Sequence, residues 1–321
     1  MKRFSGFEHA ADALPRATIV LGTFDGLHLG HRALIGAAID WARARGTPAA
    51  VVTFDPVPVA VLAPHLFRAP LTPLDDKLAL LADIGVDATV VQPFDRGFAD
   101  RTARDFIERD LLERLRPSAI FVGENFSFGR GRLGNGALLR QLATPRGVQI
   151  ATPPLLRAGG TVISSTEIRR RLDAGDVTGA AELLGRPYAL AGEVEHGRGR
   201  GRRIGFPTAN IDARGRFLPR RGVYAAWAQV DGAAAVRSVV NIGMKPTFGE
   251  RDITVEAFLL DESRDLYGQR VRVELMARLR DEKRFESAAA LGRQIEVDCR
   301  AAHKALTNDA AQRPGQSKTV L

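Results

Sequence analysis

The sequence predicts two folds in series: a doubly wound parallel α/β sheet, then a small antiparallel β-barrel closed by a terminal helix. Two observations predict the first. Apolar, β-rich runs at Ala17–Leu21, Ala49–Phe54, Thr89–Val91 and Ala119–Val122 are of buried-strand type, and helical spacing separates them at Ala33–Arg45, Leu74–Ile84 and Ala103–Leu115. Strands alternating with helices imply parallel pairing with crossover helices. A third observation predicts the second fold. After Arg186-Pro187-Tyr188 the runs Tyr188–Val194, Gly222–Val230, Val236–Ile242, Ile253–Leu260 and Val271–Leu275 are β-branched, separated by glycines and not by long helices. The expected domains are therefore 1–186 and 187–307, with 308–321 as a flexible tail rich in Gln, Pro, Gly, Ser and Lys. At 321 residues the chain is long enough for two separate cores.

The first strand runs into Gly22-Thr23-Phe24-Asp25-Gly26-Leu27-His28-Leu29-Gly30-His31. A strand stops at glycines, and a helix starts with two histidines three residues apart, on one side of its first turn. Free amides and the positive end of the helix dipole favour an anion there, and Gly30 lets a phosphate approach the backbone. Ligands of doubly wound sheets sit beyond the C-terminal ends of the strands, where this turn lies. The string points to nucleoside triphosphate chemistry. A glycine-rich turn alone is weak, and an isolated histidine is more often structural. A zinc site needs histidines four apart and a third ligand; six histidines and one cysteine in the chain argue against a closed metal cage.

Three later segments join this turn. Val51–Pro56 ends the second strand, Val122–Gly129 follows a later one, and Ile163-Ser164-Ser165-Thr166-Glu167-Ile168-Arg169 opens a helix. Each has a bland reading: an Asp-Pro turn, a strand end, a helix cap. A cap alone has no need of Arg169. As the wall of a site, the hydroxyls and Arg169 face the same triphosphate from a second helix terminus.

The later domain opens with Gly192–Glu195, His196, a Gly-Arg run over 197–203, and then Ile204-Gly205-Phe206-Pro207-Thr208-Ala209-Asn210. The basic run alone could be an RNA-binding loop, but no aromatic residue lies within 197–203 to stack on bases. In a strand Thr208 and Asn210 share a face, and two neutral oxygens there can help hold the hydrated magnesium of ATP. The last helix, Ser287–Leu306, carries Leu291, Ile295 and Cys299 four apart.

These segments resemble the bacterial bifunctional riboflavin kinase/FAD synthetase family over nearly the whole chain, and the first half resembles the wider HxGH nucleotidylyltransferase superfamily. The resemblance implies FMN adenylyltransferase chemistry first. His28 and His31 bind the ATP phosphates and stabilise charge at the α-phosphorus, within a loop that includes Gly22, Phe24, Asp25 and Gly30. Asn125 positions the nucleotide or flavin phosphate, and Ser164, Thr166 and Arg169 hold the β- and γ-phosphates. The FMN phosphate is already anionic and needs no general base. One departure stands out: many relatives carry a histidine after Asp55-Pro56, where this chain has Val57, which implies weaker adenylyl transfer if that histidine binds nucleotide. In the second domain the resemblance assigns Thr208 and Asn210 to Mg-ATP, Gly205, Pro207 and the Gly-Arg loop to the phosphates, and Glu256 to the proton of the attacking ribityl hydroxyl. By itself Glu256 reads equally well as an outward strand charge. The implied ligands are riboflavin, FMN and ATP with Mg2+.

Bulk properties agree. The chain is 45% hydrophobic and 26% charged, with a net charge of +9 that suits anionic substrates; the excess is mostly arginine, and nucleic acid is the weaker expectation. No apolar run reaches the ~18–20 residues of a membrane span, and Met1–Ser5 is not followed by a secretory core. A lone Cys299 excludes an internal disulfide and fits the cytoplasm. The sequence implies no oligomeric state.

Overall fold

Alternation along a single strand explains the first half. In Thr18–Leu21, Ile19 and Leu21 point to one apolar layer with Val52, Ile107, Leu111 and Ile120. Val20 points to the opposite layer with Ile35, Ala38, Val51 and Phe121. A strand buried on both faces must lie inside a sheet covered by helices on both sides. The computed structural model describes residues 1–196, 205–244, 253–260, 262 and 265–310 of the chain.

Six parallel strands, Lys2–Ser5 (β1), Thr18–Leu21 (β2), Ala49–Asp55 (β3), Ala88–Pro93 (β4), Ala119–Val122 (β5) and Gln149–Ala151 (β6), run in the order β1-β4-β3-β2-β5-β6. The chain steps outward from β2 through β3 to β4, then returns to the other side of β2 for β5. The strand order therefore reverses between β2 and β5, and their C-terminal ends flank the crevice that such a reversal opens. The helix Leu29–Arg43 starts four residues before the sequence pattern suggested, because His28 caps it. The stretch Ala103–Leu115 is a short α-helical turn followed by a π-helix over Phe106–Leu115. A short hairpin, Arg157–Ala158 (β7) with Thr161–Val162 (β8), precedes the helix Ser165–Ala174.

The second half is a closed antiparallel barrel, as expected. Its strands Tyr188–Glu195 (β9), Ala209–Ile211 (β10), Gly222–Val230 (β11), Val236–Met244 (β12), Ile253–Leu259 (β13) and Arg270–Arg280 (β14) close in the order β10-β13-β12-β11-β14-β9. In β13, Val255, Ala257 and Leu259 fill the interior while Glu256 and Phe258 face outward. On the outer face Val223, Trp227 and Val239 pack against Ala302 and Leu306 of the last helix, Ala288–Ala310. Asp298 of that helix is buried and takes a fork of bonds from Arg280, 2.8 and 2.6 Å, at the end of β14. The helix extends to Ala310, so 308–310 of the expected tail are helical; the remainder of that tail, 311–321, lies outside the described residues.

By contacts the chain divides into Met1–Ser165 and Thr166–Leu321, whereas the composition shift falls at Arg186-Pro187. The helices Ser165–Ala174 and Val177–Leu184 explain the offset. Arg220 N–H donates to Leu172 O at 2.8 Å and Thr178 Oγ1 to Met276 O at 3.2 Å, which ties both helices to the barrel.

Candidate active sites

In the first unit, β2 ends at Leu21 and Gly22 N–H still bonds Val52 O at 3.1 Å. The chain then turns through Phe24 (φ 49°), Gly26 (φ 82°) and Leu27 (φ 40°), two of them side chains in the left-handed region. Such residues persist only where packing over-determines them. Here Phe24 and Leu27 are fully buried, so the apolar layer beneath the sheet end fixes the loop. Thr23 O accepts from Thr53 Oγ1 at 3.2 Å and from Lys77 Nζ at 2.7 Å; Asp25 Oδ1 accepts from Thr72 N–H at 3.2 Å, and Asp25 O from Ser165 Oγ at 2.8 Å.

His28 is the N-cap of Leu29–Arg43, and its Nδ1 accepts from His31 N–H at 3.3 Å. A neutral His28 therefore carries its proton on Nε2, leaving that N–H as the donor. Although only His31 lies inside the helix, the two rings stack with centroids 3.6 Å apart, and Phe24 meets His31 edge-on at 5.3 Å. Burial holds the His31 pKa well below the usual histidine range, helped by His28 and then Lys77. Gly30 proves to serve His28: a Cβ there would stand 3.2 Å from His28 Nδ1 and 3.6 Å from Ile163 O. Its missing side chain makes room for the stacked ring.

Asn125 is exposed in the turn that leaves β5, closed by Phe126 N–H to Gly123 O at 2.9 Å. Because β5 pairs with β2 in register, Leu21 opposite Val122, the Asn125 turn and the His28 turn leave neighbouring strand ends at the point of reversal. Val57 caps the short helix Pro58–Leu62 without a side-chain bond. Ser164 belongs to the first unit, Thr166 and Arg169 to the second, where the Arg169 guanidinium stands 5.4 Å over the Phe217 ring.

Sequence reasoning passed over Lys77, which is 3% exposed and lies beside Asp25 and Asp55. The signal was present. Lys77 falls between Leu74, Leu78 and Leu81 on the apolar stripe of the helix Leu74–Ile84, where a solvated lysine does not belong.

In the second unit, register builds the site. Asn210 on β10 lies directly opposite Glu256 on β13, and Asn241 on β12 faces Glu256 from the other side. Directly opposed residues share a face, so Glu195, Asn210, Glu256 and Asn241 form a polar row across four strands on the outside of the barrel. Thr208 precedes β10 and has no cross-strand partner in this register; like Asn210 it is half-buried. Glu195 is bound by Arg214 at 2.6 Å; no ion pair with a described residue holds Glu256. Phe206 and Phe258 meet edge-on at 5.4 Å beside this row, and Gly205 turns with φ 85°. Residues 197–204 of the Gly-Arg loop lie outside the described residues.

The donors fit magnesium carried by a nucleotide. Asn210 offers a neutral hard oxygen and Glu256 a carboxylate on one surface, with the Thr208 hydroxyl just before β10, while the described residues contain no cluster of three His, Cys, Asp or Glu that could form a cage.

A strand-end loop with paired imidazoles on a parallel sheet and a polar row on a barrel give the chain two separate candidate sites for phosphoryl-group chemistry. Comparisons with known proteins agree. The family model for FAD synthetase matches residues 11–167 and that for riboflavin kinase matches 184–306. A bifunctional riboflavin kinase/FMN adenylyltransferase of Escherichia coli K12 is 39% identical, over 93% of this chain and 96% of that protein. That of Bacillus subtilis is 36% identical, over 91% and 93%. A macrolide-efflux protein of Streptococcus pneumoniae shares the fold, with a TM-score of 0.85 and 28% identity over 94% of this chain and 99% of that one. No helix among the described residues is long and apolar enough to cross a membrane. The chain belongs to the bifunctional riboflavin kinase/FMN adenylyltransferase family.

Proposed function

We propose that the barrel transfers the γ-phosphoryl group of ATP to riboflavin, giving FMN and ADP, and that the parallel-sheet unit transfers AMP from a second ATP to FMN, giving FAD and pyrophosphate. The observation that carries this reading is that each matched family model covers its own cluster of polar side chains: Asn210 opposite Glu256 in one, the stacked His28 and His31 in the other.

In the first step the ribityl hydroxyl attacks the γ-phosphorus and Glu256 takes its proton; an alcohol is a poor nucleophile and needs this base. Thr208 and Asn210 hold the nucleotide with its Mg2+, and Gly205 and Pro207 lead the phosphate-covering loop into β10. Magnesium, when bound, neutralises the phosphate charge that would otherwise repel the nucleophile.

In the second step an FMN phosphate oxygen bonds to the α-phosphorus as the bond to pyrophosphate breaks. No proton has to be removed. His28 and His31 donate to the phosphates, Gly22, Phe24, Asp25 and Gly30 hold the loop in shape, Asn125 orients a phosphate, and Ser164, Thr166 and Arg169 take the departing β- and γ-phosphates. The Phe217 contact gives Arg169 a packing role beside this one. A reducing cytoplasm suits a chain with one cysteine, whose thiol burial pushes up to about 11.

Purified protein incubated with riboflavin and Mg-ATP tests the reading by chromatography of the flavins. FMN is expected first, then FAD, and neither without magnesium. Accumulation of FMN with no FAD refutes the second step.

A further inference from the structure

Burying a lysine is costly, and a methionine of similar volume would fill the same space without the cost of desolvating a charge. Lys77 nevertheless lies 3% exposed under the anion loop, its Nζ bonded to Thr23 O at 2.7 Å. That carbonyl belongs to the residue just before left-handed Phe24, and its other donor, Thr53 Oγ1, is longer at 3.2 Å. The charged groups around the ammonium come from three elements: Asp25 of the loop, Asp55 at the end of β3, and His31 of the helix Leu29–Arg43, with His28 stacked on His31. Burial lowers the lysine's pKa while the two aspartates oppose that shift.

We propose that Lys77 is a positioning residue for adenylyl transfer: its ammonium fixes the Thr23–Leu27 turn and supplies a fixed positive charge beneath the His28–His31 pair. The loop then meets the triphosphate already shaped, and the imidazoles stay neutral until phosphate oxygens arrive to accept hydrogen bonds from their ring N–H groups. A charge placed in advance costs no reorganisation during the reaction. The inference rests on the reading that FAD forms at the first unit.

The test uses the full chain, with FMN and Mg-ATP for FAD formation and riboflavin with Mg-ATP for FMN formation. Lys77→Met is expected to lower kcat for FAD about 100-fold, and Lys77→Arg, which keeps the charge, to remain within about tenfold. Riboflavin phosphorylation should be unchanged in both. Histidine NMR titration of the ligand-free protein, with the His31 signal assigned by its loss in His31→Gln, gives a second readout, taken on variants whose parallel-sheet unit keeps its cooperative urea unfolding so that His31 stays buried. His31 should titrate at higher pH in Lys77→Met and as in the parent in Lys77→Arg. FAD formation within threefold of the parent in Lys77→Met, or an unmoved His31 titration, overturns the proposal. Where Lys77→Met loses the cooperative urea unfolding of the parallel-sheet unit, and so has not folded there, Lys77→Gln decides by the same two outcomes. His31→Ala separates the two ideas: if it leaves FAD formation intact, the reading of the site fails, and if it alone stops FAD formation, only the role of Lys77 fails.

Discussion

The two sites of this chain are built by opposite means. The anion loop after β2 is shaped from below, by buried Phe24, Leu27 and Lys77, and it accepts left-handed backbone to bring two imidazoles face to face. The barrel site is shaped from the side, by cross-strand register that places Asn210, Glu256 and Asn241 in one row on regular strands. The difference follows from the chemistry. Adenylyl transfer has an anionic nucleophile and needs donors held rigidly around developing charge. Phosphorylating an alcohol needs a base that can reach the hydroxyl proton, and in the proposed reading the outward-facing carboxylate of Glu256 is that base.

Removing the base should give the largest effect. Glu256→Gln is expected to cut riboflavin phosphorylation by about 10²–10⁴, while FAD formation from supplied FMN continues at the parental rate. Loss of both activities in a rate assay would mean that the two sites are not separable as drawn.

The reciprocal change comes next. His31→Ala removes one donor and one stacking partner of His28, and FAD formation should fall by about 10²–10³, the usual cost of deleting a single preorganised donor. FMN should then accumulate from riboflavin in a chromatographic time course. An equal drop in FMN production would break the comparison.

How much of this was legible beforehand depended on the length of the pattern. β2, β3, β5 and the long barrel strands were readable because four or more β-rich residues sit between clear breakers. β1 was not, since Lys2–Ser5 is polar and mostly exposed, and β6 and β10 are three residues each. Pairing, which sequence spacing does not encode, made β10 a strand and brought Asn210 opposite Glu256. The His28–Leu29–Gly30–His31 string was plain, but the meaning of Gly30 was not. The string suggested room for a phosphate; the structure adds that a side chain there would also crowd the ring of His28. The extent of the Phe106–Leu115 π-helix was likewise hidden, because over ten residues a slightly wider turn leaves nearly the same apolar spacing.

Gly30→Ala sharpens the point with a smaller effect. Alanine is the better helix former by up to about 1 kcal/mol, so the unfolding midpoint should hold or rise. Its methyl would press His28 Nδ1 at 3.2 Å and turn the ring out of its stack, and FAD formation should drop about tenfold. Stability and activity then move in opposite directions. A variant with parental FAD kinetics would return Gly30 to a simple helix position.

The smallest effect is on stability, and its sign comes from His31. The folded chain keeps this imidazole neutral, through burial first and then the charges of His28 and Lys77, whereas the unfolded chain protonates it near pH 6.5. Its contribution is therefore intact above about pH 6.5 and is lost as pH falls toward the depressed folded value, at no more than about 1.4 kcal/mol per pH unit. Urea unfolding at pH 7.5 and 5.5 should show the midpoint of the parallel-sheet unit falling in the parent and falling less in His31→Gln. The barrel carries the opposite kind of group: Asp212 and Asp281 are held below the usual carboxylate range by Arg214 and Arg278, so their contribution persists through this interval and is lost only in stronger acid. If His31→Gln keeps the full acid sensitivity of the parent, the neutral imidazole is not its source, and the contrast between a site preset by burial and one preset by register loses its thermodynamic half.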